Sequence, residues 1–350
     1  MWCTAANGSV YGMDIPTDQI SQQPAEDPGG ESIEVPSPGA SIDVVIVTAN
    51  TREMTLRCVK ALGGTPDLNV VVVDNCSSDD TVQALDLLPG DGPQVIELDH
   101  PVGFASACNR GAERGGAPLV LFLNSDILAM PGSIGKLRQA IEEDPQAVAS
   151  GGRLVDPETL ETQPGYKPRR FPSLAGLVMI LTGVEKLWPG NPISRRYHGS
   201  ELDEESTQRV YQPAAAALMV RRDQLDAIGG FDERFWFWFE DSDLLRRLHD
   251  RGPILWVPSA PFRHVGGASF SSWDRVAQIR SLHHGMLHYS AVHFSVLDRI
   301  LIGSLAIAVS LPRVVIMHRI RPQEAAAWRD VARAGRALIF GRPVPRIAPA

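Results

Sequence analysis

The feature that most constrains this chain is an alternation. Short apolar runs begin at Ile42, Asn69, Gln94 and Leu119, and each is followed by a segment whose apolar residues recur at helical spacing. The first run, Ile42-Asp43-Val44-Val45-Ile46-Val47, is β-branched on both faces, the pattern of a strand covered from both sides. Residues 51–62 then place Met54, Leu56, Val59, Ala61 and Leu62 along a helix that Gly63-Gly64 closes. Residues 69–73, 94–98 and 119–123 read as further strands, and 81–88, 104–114 and 133–143 as further helices. Repeated strand–helix units predict an α/β fold with a mostly parallel central sheet flanked by helices. Ligands of such sheets sit beyond the carboxyl ends of the strands. Two polar acidic clusters, Asp74-Asn75 and Asn124-Ser125-Asp126, fall at those ends.

Past residue 150 the pattern loosens. Residues 150–210 are Pro-rich and irregular, and 212–220 read as a strand. Residues 221–228 form a short helix closed by Gly229-Gly230, and 231–239 are dense in aromatics. A helix over 241–250 presents Leu244, Leu245 and Leu248 on one face and stops at Gly252, and 254–257 read as a last strand. Beyond Arg275 the pattern is helical and basic.

The net charge of −8 is unevenly spread. Residues 1–41 carry six acids and no Lys or Arg, whereas 275–350 carry eleven Arg against Asp298, Glu324 and Asp330. The body between them is therefore acidic. Three parts follow: a disordered acidic leader (1–41), a folded domain (42–274) and a basic helical extension (275–350). The 44% of apolar residues excludes a mostly disordered chain. Cys3, Cys58, Cys76 and Cys108 lack any CxxC pairing and read as reduced thiols of a cytoplasmic protein. The start of the chain has no secretory-signal pattern, and the uncharged apolar stretch 300–312 reads as too short to span a bilayer. Residues 297–317, apolar with Arg299 and Arg313 near the edges, read instead as a segment lying in the plane of an anionic membrane surface. Packing on the folded domain, or on a second copy in a homodimer, is the alternative. Nucleic acid is not among the expected partners.

Four constellations carry chemistry. Asp74, after Val70-Val71-Val72-Val73, can accept hydrogen bonds from a nucleobase or a ribose, or can cap the next helix. Asp126 suits a hard divalent cation, Mg²⁺ or Mn²⁺, which takes a carboxylate or two plus substrate phosphates. Glu240-Asp241-Ser242-Asp243 packs three carboxylates into four residues beside the aromatics, a setting that can raise one pKa and yield a general base. His264, before Gly266-Gly267, can contact a metal or a phosphate. GxGxxG after the first strand, GxxxxGK[ST] and HExxH are all missing, which argues against dinucleotide, P-loop and zincin chemistry.

These constellations occur in the order expected of the inverting family 2 glycosyltransferases of GT-A fold, which the chain resembles from about residue 42 to 270. The resemblance rests on Val72-Val73-Asp74-Asn75, on Val102-Gly103-Phe104 through Asn109-Arg110-Gly111, and on Leu123-Asn124-Ser125-Asp126. It continues in Gly229-Gly230-Phe231-Asp232-Glu233 and Glu240-Asp241-Ser242-Asp243-Leu244. Within the family the chain looks most like rhamnosyltransferases that move L-rhamnose from dTDP-L-rhamnose to a polyprenyl-diphosphate-linked N-acetylglucosamine in cell-wall synthesis. The resemblance implies nucleotide-sugar binding by Thr48, Asn50, Asp74, Gly103, Asn109 and Asn124. It implies a divalent cation at Asp126 and His264, Asp241 as catalytic base, and Glu240 beside it for the sugar or acceptor. It also implies a place at the inner face of the plasma membrane. Ala49 stands where the family commonly has an aromatic and Pro101 where it has Asn. They keep open a non-catalytic nucleotide-sugar-binding or scaffold relative, or a family 2 transferase using another nucleotide-sugar.

Overall fold

The computed structural model describes residues 41–89, 92–198, 202–265 and 274–345. The expected leader, apart from Ser41, and the Gly266-Gly267 pair lie outside the described residues.

The alternation read from the sequence folds as βα units. They run β1 (Ile42–Thr48), α1 (Arg52–Ala61), β2 (Leu68–Asp74), α2 (Thr81–Asp86), β3 (Gln94–Glu97), α3 (Phe104–Glu113) and β4 (Leu119–Asn124). β1 pairs in parallel with β2 and with β4, and β2 with β3, giving the spatial order β3-β2-β1-β4. The chain thus steps outward from β1 to β3 and then returns to its other side. The reversal opens a crevice between β1 and β4 at their carboxyl ends. Register places Thr48 opposite Asp74 and Val47 opposite Asn124, so the polar ends of three strands line up at that crevice.

Alternate residues of each strand feed opposite faces. Val44, Ile46, Val70 and Val72 pack with Cys58 and Val59 of α1, Leu85 of α2, and Ile134, Leu137 and Ile141 of α4 (Ser133–Glu143). On the other face Val45 packs with Ala105, Cys108 and Ala112 of α3. Burial on both faces explains why these strands read as unbroken apolar runs.

The second half of the sheet mixes directions. Past β4 come β5 (Ile127–Ala129), β6 (Ala149–Val155), α5 (Leu174–Thr182), α6 (Val184–Leu187), α7 (Pro192–His198), β7 (Gln208–Val210), β8 (Ala217–Arg221), α8 (Arg222–Ala227), α9 (Glu240–His249) and β9 (Ile254–His264). β8 joins β4 and β6 antiparallel, β6 runs parallel to β9, and β5 and β7 flank β9 antiparallel. The central sheet flanked by helices is as expected; the parallel character belongs to its first half. The stretch read as irregular, 150–210, holds most of β6, all of α5 to α7 and β7. The strand expected over 212–220 begins at Ala217. β9 runs past the expected end at Val257 to His264, because its register shifts around Pro258-Ser259-Ala260 and that bulge tolerates Pro258 and Pro261.

The basic extension forms three helices, α10 (Arg275–His293), α11 (Val296–Ile320) and α12 (Pro322–Ile339). α11 and α12 cross at Gly303 and Gly335. A Cβ on Gly303 would lie 2.5 Å from the Gly335 carbonyl oxygen, so only glycine permits this approach. The extension shares one core with the domain: Met286, Tyr289, Ile302, Trp328 and Val331 pack with Leu177 and Leu181 of α5 and with Phe235, Trp238 and Phe239. α11 is longer than the uncharged stretch 300–312 suggested. At 25 residues and a mean hydropathy of 2.2 in its most apolar window, it has the length and composition to cross a membrane, which corrects the reading of that stretch as too short. Arg313 does not break it: its guanidinium bonds to the Val309 carbonyl and lies over the Trp328 ring.

Candidate active site

The candidate residues sit at the carboxyl ends of β1, β2 and β4, at the end of β9 and at the start of α9. Asp74 ends β2 and is buried. Its Oδ2 accepts from the Ser77 N–H at 2.9 Å, while Oδ1 is buried with no hydrogen-bond partner. A buried acceptor without a donor is costly unless a ligand supplies one. Asn50, in the left-handed region at φ 53°, accepts from the Ser78 N–H and so ties the loop after β1 to the loop after β2.

Three other expected contacts turn inward. The Thr48 hydroxyl is buried and shares hydrogen bonds with Thr51 and Thr55 at 3.0 and 2.7 Å, so it builds the loop after β1. Asn109 spends its amide on the chain: Oδ1 accepts from the Phe231 N–H, and Nδ2 donates to the Phe231 carbonyl and to Glu233 Oε1. Gly103, at the start of α3, has its close approach to backbone: a Cβ there would lie 2.9 Å from the Phe235 carbonyl oxygen and from the Trp236 Cα. Asn109 and Gly103 thus tie the segment 230–236 to α3. Asn124 is half-buried at the end of β4.

β5 returns beside the end of β9, with Ile127 opposite His264. That pairing brings Asp126 Oδ2 to 3.6 Å from His264 Nε2. Both side chains are buried, and Nε2 has no hydrogen-bond partner. A carboxylate oxygen and an open imidazole nitrogen facing one point are ligands that fit a divalent cation. Among the described residues no group of three or more His, Cys, Asp or Glu gathers into a cage. The pair therefore suits an ion whose remaining ligands come from a substrate diphosphate and water.

Trp238 and Phe239 both lie in the left-handed region, at φ 67° and 70°, immediately before α9. Bulky residues rarely hold that conformation, so the surrounding structure must enforce it. α10 does so by offering Gly285, where a Cβ would lie 2.4 Å from the Trp238 carbonyl oxygen. The bend sets Glu240 and Asp241 in the first turn of α9. Behind them, Asp243 accepts from Arg247 Nε at 2.8 Å and His293 Nε2 at 2.7 Å, and Arg246 donates to the Tyr289 hydroxyl.

The two carboxyls are driven apart in acidity. Burial, and then the neighbouring Asp241 charge, push Glu240 up to about 8, and its Oε2 has no hydrogen-bond partner. Asp241 is half-buried, with the Arg169 guanidinium 3.8 Å away and the Ser242 N–H donating to Oδ1, contacts that favour its anion. At neutral pH one group keeps its proton and the other is an anion. Paired carboxyls pushed apart in this way separate a hydrogen-bond donor from a proton acceptor.

Sequence reasoning missed Arg169 beside Asp241, Gln212 donating to the Ser242 hydroxyl at 2.8 Å, and Gln163 bonded to His264 at 2.7 Å. All three lie in or beside the stretch without strand or helix periodicity, where no spacing marks them.

Residues 43–198 match the family described as Glycosyl transferase family 2, and residues 206–265 match the N-terminal domain of galactosyltransferase. Over 212 residues the chain is 32% identical to an N-acetylglucosaminyl-diphospho-decaprenol L-rhamnosyltransferase of Mycobacterium tuberculosis, covering 56% of this chain and 66% of that protein. Over 194 residues it is 29% identical to the O-antigen biosynthesis protein RfbC of Myxococcus xanthus, covering 53% of this chain and 14% of that one. The chain thus spans just under two thirds of the length of the first relative and a small part of the second. Among solved structures, S. aureus TarS 1–349 in complex with UDP-GlcNAc aligns with a TM-score of 0.48 and 15% identity, over 86% of this chain and 92% of that one.

Proposed function

Because the chain carries a glycosyl transferase family 2 domain and is a rhamnosyltransferase-like member of that family, we propose that it transfers a sugar with inversion from a nucleotide donor to a hydroxyl of a lipid-diphosphate-linked sugar. L-rhamnose from dTDP-L-rhamnose is the proposed donor chemistry, and a polyprenyl-diphosphate-linked N-acetylglucosamine the proposed acceptor. The observation that carries the reading is the carboxyl pair in the first turn of α9: Glu240 buried with Oε2 lacking a hydrogen-bond partner, and Asp241 with the Arg169 guanidinium 3.8 Å away.

Asp74 offers its unpartnered Oδ1 to the nucleoside, beside the loop that Asn50 fixes. Asp126 and His264 would hold a divalent cation, which would supply positive charge against the departing diphosphate. Asp241 takes the proton of the acceptor hydroxyl as that oxygen bonds to the anomeric carbon. The bond from the anomeric carbon to the diphosphate oxygen breaks on the opposite side, and its electron pair leaves with the nucleoside diphosphate. One displacement inverts the centre, so no covalent enzyme intermediate arises. Glu240, protonated, donates a hydrogen bond to the sugar or acceptor and leaves the base role to its neighbour.

The apolar side of α11 is the proposed contact with an anionic membrane surface at the inner face of the plasma membrane. Leu297, Ile300, Leu301, Leu311, Val315 and Ile316 are exposed along it, and the exposed Arg319 near its end supplies basic charge.

The test incubates purified protein, with Mn²⁺ or Mg²⁺, with dTDP-L-rhamnose and a short-chain polyprenyl-diphosphate N-acetylglucosamine, and reads the lipid product by mass spectrometry. A product heavier by one deoxyhexose supports the proposal. Protein that binds the donor but transfers nothing with any nucleotide-sugar tried points instead to a non-catalytic relative.

A further inference from the structure

We infer that Gln163 is a positioning residue: its side-chain amide locks His264 in the tautomer whose Nε2 lone pair faces Asp126. The inference rests on the reading of Asp126 and His264 as cation ligands.

Gln163 grips His264 twice. Oε1 lies 2.7 Å from His264 Nδ1, and Nε2 donates to the His264 carbonyl at 2.9 Å. The two contacts fix each other. An amide oxygen only accepts, so Nδ1 must carry the proton. Turning the amide over would set its oxygen against the carbonyl oxygen, with no hydrogen between them. With Nδ1 protonated, the neutral ring keeps its lone pair on Nε2. That atom is buried, has no hydrogen-bond partner, and lies 3.6 Å from Asp126 Oδ2, too far for a hydrogen bond.

The clamp is itself anchored. The Gln163 N–H donates to the Leu154 carbonyl of β6, and its own carbonyl accepts from the Tyr166 N–H across the short 3₁₀ turn Pro164–Tyr166. That turn sets the Tyr166 ring edge-on to the His264 ring, with centroids 4.3 Å apart. The ring is thus oriented by an edge contact and its tautomer by an amide. A ligating histidine commonly has its second nitrogen held in this way, and loss of the outer partner typically weakens metal binding about 10–100-fold.

The experiment uses the full chain with ¹⁵N-labelled histidine and two variants. Gln163→Met removes both hydrogen bonds at similar volume. Gln163→Glu keeps an acceptor for the Nδ1 proton. Long-range ¹H–¹⁵N spectra, assigned with His264→Gln, report the tautomer without any metal. Mn²⁺ affinity, read by electron paramagnetic resonance with saturating dTDP, reports the consequence. The expected result is a protonated Nδ1 in the wild type, a mixed tautomer with about 10–100-fold weaker Mn²⁺ binding in Gln163→Met, and Mn²⁺ binding within about threefold of wild type in Gln163→Glu. An unprotonated Nδ1 in the wild type, an unchanged Gln163→Met, or equal losses in both variants would overturn the inference. Asp126→Ala separates it from its premise: if that variant binds Mn²⁺ as the wild type does, the cation reading fails whatever the tautomer spectrum shows.

Discussion

Replacing Glu240 by Gln should make the protein more stable at alkaline pH than the wild type. The side chain is buried in the first turn of α9, and burial together with the Asp241 charge pushes its pKa from 4.5 to about 8. In the unfolded chain the same carboxyl loses its proton near 4.5. Between those values the native state binds a proton that the unfolded state has released. Stability from this group is fully present below pH 4.5 and drains away as pH rises through about 8. Each unit is worth at most about 1.4 kcal/mol, and since Asp241 shares the cost of the neighbouring charge, the total is on the order of 3 kcal/mol. Glutamine resembles the protonated carboxyl and does not titrate. The difference in unfolding free energy, variant minus wild type, should therefore lie near zero at about pH 5 and rise by roughly 3 kcal/mol toward about pH 8.5. Urea melts of both proteins across that range measure it, and taking the difference cancels every other titrating group. Parallel stability curves would show that Glu240 ionises in the folded state like an ordinary carboxyl. The assignment of Asp241 as the lone anion of the pair would fall with it.

Asp43 anchors the opposite end of β1: it is buried and accepts from Arg222 Nη2 at 2.6 Å, Asn69 Nδ2 at 2.7 Å and the Ala117 N–H at 2.8 Å. Asp43→Ala leaves all three donors unmet and should cost about 3–5 kcal/mol in urea unfolding, with site chemistry affected only through stability. Gly103→Ala drives a Cβ to 2.9 Å from the Phe235 carbonyl oxygen; a loss of about 1–3 kcal/mol is expected, with a fall in turnover as the segment 230–236 shifts. Cys58 and Cys108 are buried and burial pushes both thiols up, so native protein should leave them unmodified by iodoacetamide until it unfolds. Leu301→Glu with Val315→Glu, both on the exposed side of α11, should abolish pelleting with phosphatidylglycerol vesicles while leaving the melting temperature within a few degrees, and unchanged pelleting would remove the membrane proposal.

Legibility followed periodicity. The strands and helices from Ile42 to Glu143, the three-residue β5 apart, announce themselves because two-sided burial demands unbroken apolar runs, and because the intervening helices need one apolar stripe each. β9 reads short because Pro258 and Pro261 look like terminators, yet a bulge absorbs them within a strand that ends at His264. Asp74, Asp126, Glu240, Asp241 and His264 could be singled out because charged groups at strand ends and helix starts are conspicuous. Their partners could not. Gln163 and Arg169 lie in a stretch of low regularity, and each matters through contacts made across the fold. Thr48, Gly103 and Asn109 show the converse: polar or small residues near a site that build its walls, with hydrogen bonds and close approaches spent on the chain itself.

The central claim is that Asp241 removes the acceptor proton. Single-turnover transfer from dTDP-L-rhamnose by wild type and Asp241→Asn, each with dTDP affinity measured alongside, tests it most directly. Transfer should fall by about 100-fold or more in the variant, the scale of a lost general base, with dTDP binding within a few-fold of wild type. Transfer by Asp241→Asn at the wild-type rate would contradict it.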